Sequence, residues 1–113
     1  MSWNEIEILT ARRGIVDACQ RMLAGKLSYI EGARIVLSFQ REAKLPDLDD
    51  DLLPFTGIVS ETDALPIGEQ QRSLWQPAAL AALQAEMDQK EAWSKIFGEA
   101  ACRRLIERFA HPV

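Results

Sequence analysis

Seven carboxylates and no lysine or arginine stand between residues 45 and 71: Asp47, Asp49, Asp50, Asp51, Glu61, Asp63 and Glu69. If this chain does acid–base chemistry, these residues are the ones rich enough to do it. Glu61 and Asp63, two positions apart in "SETD", form the obvious pair, but general acid–base catalysis needs such groups held in a cleft that tunes their pKa values. The same words have a plainer use, because Ser60, Thr62 and Asp63 are turn-formers and cappers that bond nearby amides. "DLDDD" at residues 47–51 lacks the glycine and the distal glutamate of a calcium-binding loop, so no metal is expected there. The one histidine, His111, stands too near the C-terminus to make a convincing base for a serine or cysteine nucleophile. The sequence contains no CxxC pair, HExxH helix or glycine-rich phosphate loop, and no cofactor is expected.

With catalysis thinly supported, the acids read better as a recognition surface. Residues 45–71 carry a charge of -7 in a chain of net charge -4, so the remainder is positive. A nucleic-acid surface needs clustered cations to displace counterions, which excludes this stretch. Acids on a binding face instead steer a basic protein partner. The candidate partner-binding residues are Asp49, Asp50, Asp51, Glu61, Asp63 and Glu69, with Trp93 as an apolar anchor.

The elements that must position them are helical. At 113 residues and 48% apolar composition the chain fits one domain able to bury a core without metals or disulfides. Ser2 and Glu5 form a capping box that opens a first helix, whose stripe runs through Ile8, Ile15, Cys19, Met22 and Leu23 to a stop at Gly25. Arg12 falls inside that stripe and must snorkel or find a partner. Ser28 and Glu31 repeat the capping box and open a second helix that Pro46 ends at the latest. That helix is apolar on two faces, Tyr29–Ile30–Ala33–Leu37 and Ile35–Phe39. It is either sandwiched in a bundle or exposes one face to another chain. A short third helix is expected over about residues 50–61, with Pro54 in its first turn. "TGIVS" is the only short strand candidate. The last segment begins at Gln76–Pro77 and has strong helix propensity nearly to its end. Glu86–Lys90, Glu91–Lys95 and Glu99–Arg103 are spaced for ion pairs along it. Its apolar phase, Leu80–Leu83–Met87 and then Ala101–Leu105–Phe109, is interrupted by Lys90, Glu91, Ser94 and Gly98, while the spare apolar residues Trp93, Ile96 and Phe97 project elsewhere. The long helix therefore bends or breaks near residues 88–98, or changes partner there. The fold class is all-α, a compact bundle of about four helices ending in a long one. Cys19 and Cys102 lie in apolar stripes and read as free core thiols.

The stretch "SETDALPIG…W…AL", with "CQRML…IEGARIV" before it and "ACRRLIERF" after it, resembles a group of small uncharacterised bacterial helical proteins that share an SETD–LP–G…W signature. The resemblance implies a bacterial, all-α, cytoplasmic protein and brings no catalytic residue with it. In type, a small acidic single domain also resembles the immunity proteins paired with bacterial toxins. The leading expectation is a non-catalytic protein that binds and neutralises a toxin, without nucleic-acid or membrane partners. The alternatives are a structural or regulatory homo-oligomer, such as a homodimer through the second face of helix two, and a carboxylate-based enzyme or small-molecule binder.

Overall fold

The computed structural model describes residues 3–65 and 76–110, with only the backbone of Leu80. Ser2, Pro66, Gly68, Glu69, Trp75 and His111 lie outside the described residues, so the first capping box and the proposed contact Glu69 do too. Four helices follow in order: α1 Trp3–Leu23, α2 Tyr29–Ser38, α3 Leu53–Thr62 and α4 Pro77–Ala110. Among the described residues there is no strand, and "TGIVS" lies inside α3.

α1 ends as its sequence dictates. Gly25 takes φ 75, its amide donates to Met22 O at 3.1 Å, and Lys26 N donates to Arg21 O at 2.9 Å. This is the paired-bond stop in which glycine bears the left-handed residue without penalty. The turn after α2 ends in the same way but without glycine. Lys44 N donates to Arg41 O and Leu45 N to Gln40 O, each at 3.1 Å, and Lys44 itself takes φ 59. A left-handed lysine costs about 1 kcal/mol that glycine does not. Lys44→Gly should therefore stabilise the protein by roughly 0.5–1 kcal/mol, read as a rise of a few degrees in a thermal melt. A lower melting temperature would show that the lysine side chain contributes more than its backbone costs.

The core is built from Ile15, Cys19 and Met22 of α1, Tyr29, Ala33 and Val36 of α2, Phe55 and Ile58 of α3, and Ala101, Cys102 and Leu105 of α4. Both cysteines are free and buried. A hydrogen bond with Cys102, reinforced by burial, pushes the Cys19 thiol far above its ordinary pKa, so it packs as a neutral group. α2 is sandwiched: it packs on α1, α3 and α4, and Phe39 lies against Gly14 of α1. Its second apolar face is thus used within the chain. Arg12 donates through Nε to Ala43 O at 3.1 Å and its guanidinium lies 5.3 Å from the Phe109 ring centroid. It is a structural arginine held by a carbonyl and a ring, not by a carboxylate.

α4 is one continuous, bent helix, so residues 88–98 do not break it. Thirty-four residues at 1.5 Å each make about 51 Å, matching the molecule's longest extent of 53 Å. α3 runs antiparallel beside it, with Glu61 at Lys90, Asp51 at Arg104 and Asp49 at Arg108. The described side chains of α4 bury fully only from Ser94 onward, and residues 77–89 run past the last turn of α3.

Candidate functional site

The acids that looked alike in sequence have separated into two groups at opposite ends of α3. Asp49 is 8% exposed, so it corrects the expectation of a displayed contact. One of its oxygens accepts from Asp51 N and from Arg108 Nη1, each at 3.0 Å, and the other lies 3.0 Å from the same Arg108 nitrogen. Asp51 accepts from Arg104 Nε and Arg108 Nη1, both at 3.0 Å. Burial works against the charge of Arg108, but the hydrogen bonds to Asp49 and Asp51 outweigh it and hold the guanidinium pKa above its ordinary value. This cluster fastens the turn that opens α3 to the last turns of α4, where no side chain caps α3 directly. Asp49 and Asp51 are therefore structural ion-pair members, and much of the local negative charge is neutralised inside the chain. Asp50 between them is exposed.

At the other end, "SETD" is the last turn of α3 and not a loop, which corrects its reading as amide-capping residues. The Thr62 hydroxyl, fully buried, donates to Ile58 O at 2.7 Å, and Arg34 Nη2 donates to Thr62 O at 2.8 Å. Threonine bonding backward one turn is ordinary inside a helix. Glu61 and Asp63 are exposed. Glu61 meets Lys90 of α4, with Nζ 3.3 Å from Oε2, and Lys90 lies 5.9 Å from the centroid of Trp93. The Trp93 ring in turn packs on Phe97 at 5.0 Å between centroids. Trp93 is half-buried against the core, Phe97 is 48% exposed and Ile96 72%. Glu61 and Trp93, thirty-two positions apart, thus belong to one continuous flank. Phe97, a spare apolar residue already in the sequence, and Ile96 belong to it too, although neither was among the candidate contact residues; their position off the core phase was the signal.

The interrupted phase of α4 has a different explanation from function. Glu91 accepts from Tyr29 N at 2.8 Å and Ile30 N at 3.1 Å, closing the first amides of α2, which have no partner within the helix and follow its Ser28 cap. Lys90 goes to Glu61, and only Glu99–Arg103 of the three expected intrahelical pairs is formed, at 2.9 Å. Ser94 is buried with its hydroxyl donating to Lys90 O at 2.7 Å, and Gly98 is buried where α2 comes close: a Cβ on Gly98 would sit 2.6 Å from Tyr29 Cδ1.

A cleft of about 450 Å³ does use the middle of α4, taking Glu91, Lys95 and Glu99 together with Ser28 and Tyr29, but Glu61 and Asp63 do not line it. Burial, then the nearby Cys102 and Glu99, push the Tyr29 phenol up to about 12, so it stays protonated at neutral pH. The two oxygens of Glu91 are already held by amides. Glu91 and the buried Tyr29, two of the groups facing this cleft, therefore serve the fold.

Among the described residues no group of three or more His, Cys, Asp or Glu side chains is placed to hold a metal, and no helix is long and apolar enough to cross a membrane. Comparison with protein-family models, with curated proteins and with solved structures yields no match to this chain.

Proposed function

We propose that this chain is a non-catalytic protein-binding protein, most simply one that binds and neutralises a bacterial toxin with a basic surface. The observation that carries the reading is the juxtaposition of exposed Ile96 and Phe97 and half-buried Trp93 with exposed acids at the end of α3. Apolar anchors supply affinity and are enriched at the centre of interfaces, while surrounding charges steer encounter and choose the partner. Asp50 adds a second exposed acid at the far end of α3, whereas Asp49 and Asp51 serve the fold.

A growth assay tests the proposal. Expression of a toxin reading frame neighbouring this gene should arrest growth, and co-expression of this chain should restore it. The double substitution Glu61→Lys, Asp63→Lys should leave the circular dichroism spectrum and melting temperature nearly unchanged, since both side chains are exposed and the Glu61–Lys90 bridge contributes well under ~1 kcal/mol. The variant should protect less, through an association rate lowered about tenfold and less sensitive to salt. Full protection by the variant removes these acids from the interface. Absence of any toxic neighbour removes the neutralising role.

A further inference from the structure

We infer that the free protein pairs with a second copy of itself, α4 against α4 in antiparallel orientation, about a two-fold axis near residue 88. The reason lies in one flank of the helix. Ala79, Ala82, Glu86, Lys90, Trp93 and Phe97 recur at intervals of three and four residues, the spacing that keeps side chains on one seam between two helices. Read from either end, that seam is complementary to itself. With residue 88 at the centre, Ala79 faces Phe97 of the other copy and Glu86 faces Lys90, while Ala82 stands within one residue, about 1.5 Å along the axis, of the level of Trp93. Small residues receive large rings and each acid meets a base, twice over, as an isologous interface requires.

Two independent features of the single chain ask for such a cover. The stretch 77–89 extends beyond the end of α3, none of its described side chains is fully buried, and Ala82 and Glu86 on this seam are exposed. The bundle end of the same helix leaves Phe97 48% exposed beside half-buried Trp93. Antiparallel pairing lays the Ala79–Ala82 side of each projecting half over the aromatic pair of the other copy, so one operation covers exposed Ala82 and the exposed ring together. The inference rests on reading this flank as protein-binding, but not on a toxin as its partner. In the free protein the second copy occupies the flank, and a foreign partner would have to displace it.

Light scattering after size exclusion, at micromolar concentrations and low salt, decides the matter. The wild-type chain should elute at the mass of two chains. Ala82→Glu, on an exposed position of the projecting half, should give a folded monomer or weaken pairing at least tenfold. Because Lys90 also bridges Glu61, the charge seam is tested in a Glu61→Gln background: Glu86→Lys and Lys90→Glu should each weaken pairing, and the two together should restore it. Restoration is specific to the antiparallel register, since parallel pairing would set residue 86 against 86. A monomeric wild type at all concentrations overturns the inference while leaving toxin neutralisation standing. A dimer indifferent to Ala82→Glu, or one the double swap fails to restore, overturns this interface. A dimer that behaves as described but protects against no toxin sinks the neutralising role alone.

Discussion

Gly98→Leu should lower the stability of this protein by about 3 kcal/mol, at the upper end of the usual cost of overpacking. Already at Cβ the new side chain would stand 2.6 Å from Tyr29 Cδ1, 3.2 Å from Cε1 and 3.5 Å from Ile58 Cδ1. Tyr29 is 4% exposed and its ring is fixed between helices, so the contact cannot be relieved by swinging a free end. Even alanine, which in an open helix gains about 1 kcal/mol over glycine, should be destabilising here. Gly57, inside α3, supplies the control: a Cβ there meets nothing within 4 Å, and Gly57→Ala should stabilise by roughly 0.5–1 kcal/mol. The two alanine variants should thus move the urea midpoint in opposite directions. Equal shifts would mean that helix propensity, and not the approach of α2 to α4, decides the place of glycine in this fold.

Gly98 also shows where reading the sequence reached its limit. Local signals named the elements well: Ser28 before α2, Gly25 after α1 and Pro77 at the head of α4 act through one or two hydrogen bonds or a fixed φ, and those depend on neighbours in the chain. The apolar period located most of the core for the same reason. It failed along residues 90–98 because it assumes that a buried position must be large and apolar. Where two helices approach closely, the buried positions are small, as with Ser94 and Gly98, or polar with a partner from another helix, as with Glu91. The lapse in pattern marked a close crossing and a helix cap, neither of which is encoded within the helix that carries it.

The acids divide along the same line. Nothing in "DLDDD" distinguishes Asp49 from Asp50, yet one is 8% exposed in a bond with Arg108 and the other faces solvent. The difference comes from Arg104 and Arg108, more than fifty positions later, whose spacing of four puts both on the side of α4 that meets the head of α3. Trp93 was legible as a residue off the core phase. Its companions in space, Glu61 by way of Lys90 and Phe97 by ring contact, follow from the antiparallel run of α3 along α4. Composition announced an acidic surface. The fold divides that surface into a structural clasp at one end and exposed acids beside aromatic rings at the other.

Glu91→Ala should destabilise by about 2 kcal/mol, twice the effect of removing the local cap by Ser28→Ala, which should be about 1 kcal/mol. Both changes act on the N-terminus of α2. Ser28 Oγ accepts one amide, that of Glu31, at 3.0 Å. Glu91 accepts two, from Tyr29 and Ile30, and brings a negative charge to the positive end of the helix. Tyr29 and Ile30 are both buried, so water cannot readily replace a lost acceptor at their amides. Glu91→Gln, which keeps one acceptor oxygen and loses the charge, should fall between alanine and the wild type. Because Glu91 lies sixty-one and sixty-two positions from the amides it serves, its removal should also loosen the seat of α2 on α4. The double variant Ser28→Ala, Glu91→Ala should then lose more than the two single losses added, because each remaining cap holds the amides in place for the other. Urea denaturation of the three variants measures this directly. Strict additivity would mean that the serine and the glutamate serve α2 independently, and that Glu91 is an end cap without a part in docking the helix.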